Sequence, residues 1–553
     1  MEQTNPRIKV LSSLEKVFCD MPLSEFSEVR EFTVFKNQKL VFQVAARNEV
    51  IPDGRYTSNL LGVHFEGELA PYVTARQVIS VPAAYPTHYN CYDDEYYLRG
   101  PGLYPDMIRP LHYHGALPIP YGLTQTLWIT ADLPEDVGAG DYKLTVKLGD
   151  WAEAEVSIRV LAQELPPQKT IHTEWLYSDC IAEYYRVDPF SEEHWRLLES
   201  FVSTAVKNGV NMILTPLHTV ALDTYVGGER LTTQLLEIEV DENGKYTFGF
   251  DKLGRWIEMC KRVGVEYYEM PHFFTQWGAK HAPKTVGVKD GKMQKLFGWE
   301  TDSMGDDYKN YLGQLLPALV AYLKEQGVYE KTFFHVSDEP PLAILDHYCA
   351  CKNLIAPHVD NDRIIDALSN YAFYEKGVLT SPIPSTEDVE VFVNNKVENL
   401  WTYYCGAGGQ KDVSGRYLSM PLYRTRIIGV QMYNAGIIGF LHWGYNFYHN
   451  GLSHDAINPI MHTDADYFFP SGDSHIVYPG DDGTALESIR LNAMREAMED
   501  IRMLQLCEEK IGREAVLEII KEECGEPLTF RTRPGADFIP RLRARVIDAI
   551  TNN

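Results

Sequence analysis

Hydrophobic periodicity changes once along this chain, close to residue 165, and no single architecture accommodates both halves. Before that point apolar and polar residues alternate in short runs, 40–45, 126–130, 142–148 and 154–160, separated by turn residues. A period of two puts every second side chain on one face of a strand, so residues 1–165 are predicted to form an all-β sandwich. Pro166 and Pro167 follow. Consecutive prolines stiffen a linker and cannot continue a sheet, which makes this a domain boundary.

Beyond the boundary, strand-length apolar runs alternate with helix-length amphipathic stretches. The expected strands are 171–176, 211–215, 265–270, the run around Phe333, 363–367, 389–393, 400–404 and 437–443. Ser191, followed by Glu192 and Glu193, marks the start of a helix over 191–207. Its hydroxyl can cap free N–H groups, and the acids face the positive end of the helix dipole. Eight strands with intervening helices predict a multidomain chain whose second part, 166–485, is an α/β domain of the (β/α)8 TIM barrel type. The charged amphipathic segment 486–553 is expected to pack on it as helices. An open doubly wound sheet is the alternative. No GxGxxG or GxxxxGK(S/T) turn follows the first strand, so nucleotide binding lacks its signature.

Of the 553 residues, 77 are Asp or Glu and 51 are Lys or Arg, a net charge of −26. Phosphate-rich partners require a basic face, so neither nucleic acid nor an anionic membrane is expected as a partner, and a neutral or weakly charged substrate fits better. Residues 1–7 lack the basic start, apolar core and cleavage site of a signal peptide, which predicts a cytoplasmic protein. The nine cysteines are scattered and form no CxxC pair. They predict reduced thiols rather than a disulfide frame or a zinc ribbon, and neither metal nor cofactor is expected. The longest apolar run, 427–443, is interrupted by Gln431, Asn434 and His442 and does not suit a membrane span. Self-association into a homo-oligomer is left open.

The best chemical lead is the stretch 331–341, where Phe333, Phe334 and Val336 lead into Asp338 and Glu339 and then into Pro340 and Pro341. The prolines end the strand, so the two carboxylates stand at its C-terminal edge, where the loops of α/β barrels build active sites. Other expected strand ends bring Trp175, His218, His272, Tyr403, Tyr404, Trp443, Tyr445 and Asn446 to the same edge. Aromatic faces, amides and paired carboxyls together suit a carbohydrate, although each aromatic taken alone also suits a packed core.

Several motifs resemble glycoside hydrolase family 123 and its relatives grouped as domain of unknown function 4091. They are the run 334–340 around Asp338 and Glu339, the run 441–446, the stretch 471–480 that ends Tyr478-Pro479-Gly480, and Ser488-Ile489-Arg490-Leu491 with Met498-Glu499-Asp500. The resemblance implies a β-N-acetylgalactosaminidase with an N-terminal β-sandwich and a (β/α)8 barrel, removing a terminal N-acetylhexosamine from a small glycan or glycoside. It implies retention by substrate-assisted catalysis, with Glu339 as general acid/base and Asp338 holding the 2-acetamido group. That division of labour suits adjacent residues, since neighbours on a strand ordinarily point apart and could not face each other across one anomeric carbon. Two other readings compete. One is a non-catalytic carbohydrate-binding protein; the other is a metal-dependent barrel hydrolase using His218, His272, His335 and His442, or the HxH spacing of His112-Tyr113-His114.

Overall fold

The computed structural model describes residues 7–48, 58–88, 92–112, 114–406 and 411–552. Cys91 and Tyr113 lie outside the described residues. In the N-terminal part, one five-stranded sheet runs in the spatial order Ile8–Leu11, Leu40–Arg47, Thr124–Ala131, Val73–Ala83, Gly102–Pro110. The other runs Glu31–Val34, Ala152–Val160, Gly140–Leu148, Ser58–Glu66, Ala116–Pro120. Phe42, Val44, Leu127 and Ile129 of the first sheet meet Leu144, Val146, Val156 and Ile158 of the second in one core. Ala152–Val160 shows the cause: Ala154, Val156, Ile158 and Val160 are buried while the four residues between and before them are exposed.

Leu40–Arg47 departs from this alternation, being buried on both faces apart from its last residue. On its outer face Val41, with Trp128 and Ile108 of the same sheet, packs against Leu422, Ile489 and Ala493. The helix Ile489–Ile511 thus lies between the N-terminal sheets and the rest of the chain, and the polar residues of its first half, through Asp500, are buried rather than solvated. They are matched in pairs. Arg490 donates from Nε and Nη2 to the two carboxylate oxygens of Asp106 at 2.8 and 2.7 Å, and Arg426 donates to Asp500 at 2.7 and 2.9 Å. Gly429 lets a second helix, Ile428–Ala435, approach this one; a Cβ there would stand 2.2 Å from the Ala497 carbonyl oxygen.

The second part is built on parallel strands, which we number β1 (Ile171–Glu174), β2 (Met212–Leu214), β3 (Tyr267–Glu269), β4 (Thr332–Phe333), β5 (Ile365–Ala367), β6 (Ser381–Ile383), β7 (Trp401–Tyr403) and β8 (Gly439–His442). Six form one sheet in the order β4-β3-β2-β1-β8-β7, and β5 pairs with β6. Single parallel bridges, Phe334 to Ile364 and Ser385 to Tyr403, join the two sets. The continuous ladder is therefore six strands wide, short of the eight-stranded ladder expected.

One expected strand is wrong. Residues 389–393 form a helix, Val389–Asn394, despite their β-branched composition. Burial decides: Val389 and Phe392, three apart, face the core, while Glu390 accepts the Phe530 N–H at 2.8 Å. The strand in that part of the sheet is β6, three residues with Pro382 at the centre, which sequence patterning does not flag. The start of the helix Glu192–Lys207 is as expected, with Ser191 accepting the His194 N–H. A four-stranded sheet spanning 237–297 was not foreseen. No helix of the described residues is long and apolar enough to cross a membrane.

Removing one member of a buried ion pair leaves the other charge unsolvated, a cost of about 3–5 kcal/mol. Arg490→Met, which strands Asp106, is expected to lower the unfolding free energy in urea by an amount of that order. A loss below about 1 kcal/mol would show that the pair does not hold the two parts together.

Candidate active site

Past β4 the chain bends at Val336 and is pinned there by the segments beside it. The Asp366 carboxylate accepts the Val336 N–H at 3.1 Å, Ser337 Oγ donates to the Thr275 carbonyl at 2.8 Å, and the Trp277 N–H donates to the Asp338 carbonyl at 3.0 Å. Glu339 then takes φ 41°, left-handed. A non-glycine residue there costs of order 1–3 kcal/mol and persists only where its surroundings fix it. The turn breaks strand alternation: Asp338 and Glu339 line the same cleft instead of pointing apart.

The cleft encloses about 100 Å³. Of the residues expected from sequence, the structure brings Trp175, Asp338, Glu339, Tyr403 and Trp443 together in its wall. Tyr403 donates its hydroxyl to Glu339. Trp175 is buried and donates Nε1–H to Glu269 at 2.7 Å, and half-buried Trp443 donates to Asp473 Oδ2 at 3.1 Å and rests on Phe469.

The other expected residues do not line this cleft. Tyr445 donates to the Phe201 carbonyl at 2.7 Å within the core, and Asn446 clamps the Tyr177 backbone, accepting its N–H at 2.9 Å and donating to its carbonyl at 3.0 Å. Tyr404 packs on Phe440, with its hydroxyl 3.1 Å from Met494 Sδ, and lines an adjoining cavity. His218 bonds the His272 carbonyl at 2.9 Å, and burial lowers it to about 4. His272 stacks on His335 with ring centroids 4.3 Å apart.

Sequence reasoning missed Tyr177, Asp223, Trp277 and Asp473, which also line the wall. Asp473 lies within the stretch 471–480, so only its side-chain role went unread. Arg490 sets its loop, donating from Nη2 to the His475 carbonyl at 3.0 Å, and Gly444 admits it, since a Cβ there would meet the Asp473 carbonyl at 2.4 Å. Asp223 and Trp277 share with Glu339 a left-handed backbone, φ 50° and 57°.

Four carboxyl groups thus face one small volume, and among the described residues no Lys or Arg lines it. Burial, and next the Glu339 charge, push Asp338 well above the ordinary carboxyl range. Burial likewise lifts Asp223 to about 7, with Arg230 opposing and Asp473 and Glu339 reinforcing the rise. The site can hold a proton between neighbouring carboxyls near neutral pH and can stabilise positive charge that develops on a bound molecule.

Beneath the cleft, His335 lies between two acids, Nε2 2.6 Å from Glu269 and Nδ1 3.0 Å from Asp366. Burial alone would lower its pKa, but the hydrogen bonds to Asp366 and Glu269 and their charges outweigh it and hold it at about 9. His272, His335 and Asp366 bring ligand atoms within 4.8 Å of one another, as do Asp179, Cys180 and His449. Both ring nitrogens of His335 are already bonded to acids, and Asp179 accepts from the Arg230 guanidinium at 2.6 Å.

Residues 175–507 match the family model described as "Glycoside hydrolase 123, catalytic domain". The chain belongs to glycoside hydrolase family 123. A solved structure of a family 123 glycoside hydrolase from Clostridium perfringens, described for glycolipid glycan hydrolysis, aligns over 99% of this chain and 98% of its own at TM-score 0.72 and 16% identity. The likeness shows a shared fold. A Bacteroides ovatus GH5 xyloglucanase aligns over 85% of this chain and 98% of its own, at 7% identity and a TM-score of 0.29 that bears no argument. No curated protein matches.

In this family 123 hydrolase, the pKa of His335 gives a stability signature. A folded-state value raised from 6.5 to about 9 contributes stability that is full below pH 6.5 and lost as pH rises through 9. Relative to His335→Gln, the wild type is expected to lose about 3 kcal/mol between pH 6 and 9.5, read from urea midpoints. Parallel pH profiles for the two proteins would contradict a charged His335.

Proposed function

We propose that this glycosidase removes a terminal β-linked N-acetylhexosamine, N-acetylgalactosamine first among the candidates, with retention, using the substrate's own acetamide as nucleophile. The observation that carries the reading is the placement of Asp338 and Glu339 side by side on one wall of the cleft, with Glu339 bound to Tyr403. We read the eight strands as a (β/α)8 barrel over 166–485, preceded by a sandwich over 1–165 and followed by helices over 486–553. The two parallel bridges that link β4 to β5 and β6 to β7 support that reading.

Burial, and next the Glu339 charge, raise the Asp338 carboxyl in the free enzyme. A bound acetamido N–H donates to Asp338 and favours its anion, and Glu339 serves as the acid beside the glycosidic oxygen. The acetamide oxygen then attacks the anomeric carbon, the bond to the leaving group breaks, and the departing oxygen takes the proton of Glu339. The cyclic cation is stabilised by anionic Asp338. Glu339 next removes a proton from the water that opens the ring at the same face, which restores the acetamide.

A two-carboxylate mechanism is the second reading, because Asp223 and Asp473 line the same cleft. It fares less well on the chemistry of those groups. Asp473 Oδ2 already accepts from Trp443 and from the Gly406 N–H at 2.9 Å, and Asp223, at about 7, is half protonated at neutral pH.

Variants separate the roles. Asp338→Asn keeps the size and loses the charge, so turnover is expected to fall on the order of 10²-fold or more, and a thiazoline mimic of the cyclic intermediate should bind the wild type far more tightly than the variant. Glu339→Gln should cost about as much for alkyl glycosides and much less for activated aryl ones, which need no proton. Equal thiazoline affinity for wild type and Asp338→Asn would remove Asp338 from the acetamide, and binding of N-acetylhexosamine without any turnover would favour a carbohydrate-binding protein.

A further inference from the structure

Outside the cleft, three side chains bring soft donor atoms together. His347 and Cys351 stand four apart on the helix Leu345–Ile355, hence on one face, and that face meets Met304, which precedes the helix Asp306–Glu325. Cys351 Sγ lies 3.7 Å from His347 Nε2 and 3.9 Å from Met304 Sδ. Three donor atoms held in a plane around one ion by bonds of about 2.0–2.3 Å stand about 3.5–4 Å apart, and both separations match.

The backbone around the cluster is fixed. The Met304 N–H donates to Asp302 Oδ1 at 2.9 Å, and the Ser303 N–H donates to the Lys280 carbonyl at 3.0 Å, which joins this segment to the turn 275–281. Cys351 is buried, whereas His347 and Met304 are half-buried, so the cluster is within reach of solvent. The donors also select an ion. Zinc takes four ligands from thiolate, imidazole and carboxylate, and calcium and magnesium take oxygen; thiolate, thioether and imidazole together suit copper(I).

We propose that Met304, His347 and Cys351 form a binding site for a soft monovalent cation, copper(I) first, and that filling it loosens the turn that carries Trp277. The metal–sulfur bond forms as the thiol proton leaves to solvent, and the neutral imidazole carries its one proton on Nδ1 while Nε2 binds. The Ala279 carbonyl transmits the effect. In the free protein it lies 2.9 Å from His347 Nε2 and 3.6 Å from Cys351 Sγ, and bound metal takes both of these donors away. Ala279 is buried, and a buried carbonyl left without donors is costly. Ala279 and Trp277 are both left-handed, at φ 53° and 57°, and the Trp277 N–H is bonded to the Asp338 carbonyl. A shift of this turn therefore reaches the wall of the cleft.

The test titrates the full chain anaerobically with copper(I) held by bicinchoninate, and repeats the titration on Met304→Leu, His347→Gln, Cys351→Ser and, as a control, Cys349→Ser. The wild type is expected to take up one tightly held copper(I) more than Cys351→Ser does. Met304→Leu and His347→Gln should each weaken that ion by at least about tenfold, since even groups outside a ligand set are worth about 10–100-fold in affinity. Cys349→Ser should hold it as the wild type does, and excess zinc(II) should not displace it. X-ray absorption at the copper edge should find two sulfur neighbours and one nitrogen. Amide exchange over 275–282, followed by mass spectrometry, should quicken in the loaded wild type and not in Cys351→Ser treated alike, a readout independent of any hydrolysis.

Equal copper uptake by wild type and Cys351→Ser would overturn the site. So would wild-type affinity in both Met304→Leu and His347→Gln, which would leave only a reactive thiol; both positions are half-buried, so these variants decide the matter even if Cys351→Ser does not fold. Displacement by zinc would overturn the choice of ion, and unchanged exchange over 275–282 in the loaded protein would overturn the link to the cleft.

Discussion

A buried cation held between two acids ties the strands together directly under the cleft. His335, just past β4, bridges Glu269 at the end of β3 and Asp366 in β5; Glu269 also accepts from Thr173 of β1 and from Trp175. Asp366 in turn accepts the N–H of Val336 and the hydroxyl of Tyr348. One network thus connects four strands and spans the join between β4 and β5, where the backbone ladder thins to a single bridge. Such a triad is expensive to bury and more expensive to break, so it fixes geometry more than it adds stability. What it fixes is the level from which Asp338 and Glu339 rise.

Above that level the backbone departs from regular structure at the residues that face the cleft. Asp223, Trp277 and Glu339 are left-handed without being glycine, and each is braced by its neighbours: the Asp223 N–H donates to Gln276, and Trp277 donates to Asp338. The brace explains how adjacent carboxyls come to share one wall. It also sets the Glu339 charge beside the buried Asp338 carboxyl, which is raised by burial and then by that charge. Arg490, far from the chemistry, acts on the same wall by holding the loop that carries Asp473 and by tying it to Asp106 of the N-terminal sheets.

Much of this was legible in the sequence, and the illegible part has physical reasons. Ala152–Val160 reads plainly because one face is wet; Leu40–Arg47 does not, because a helix far along the chain covers its second face. Residues 389–393 mislead because β propensity reflects fit to a pleated surface, and here the surroundings bury positions three apart instead. β6 escapes notice through its length and Pro382. In the site, Asp338 and Glu339 are betrayed by the two prolines that follow them. Tyr177 and Asp223 carry no local signal, since what places them is a clamp from Asn446 and a turn against Gln276. Tyr445 and Asn446 sit at a strand end as expected, but their side chains are spent on holding neighbours.

The claim on which the account turns is that the nucleophile belongs to the substrate. The direct measurement is kcat/KM for matched aryl β-glycosides that differ only at carbon 2, acetamido against hydroxyl, with the anomeric configuration of the first product followed by NMR. The account predicts a β product from the acetamido glycoside and a rate for the hydroxy compound lower by several orders of magnitude, because an intramolecular nucleophile is worth an effective concentration of roughly 10⁵ M or more. Comparable rates for the two substrates would contradict it and assign the nucleophile to a protein carboxylate.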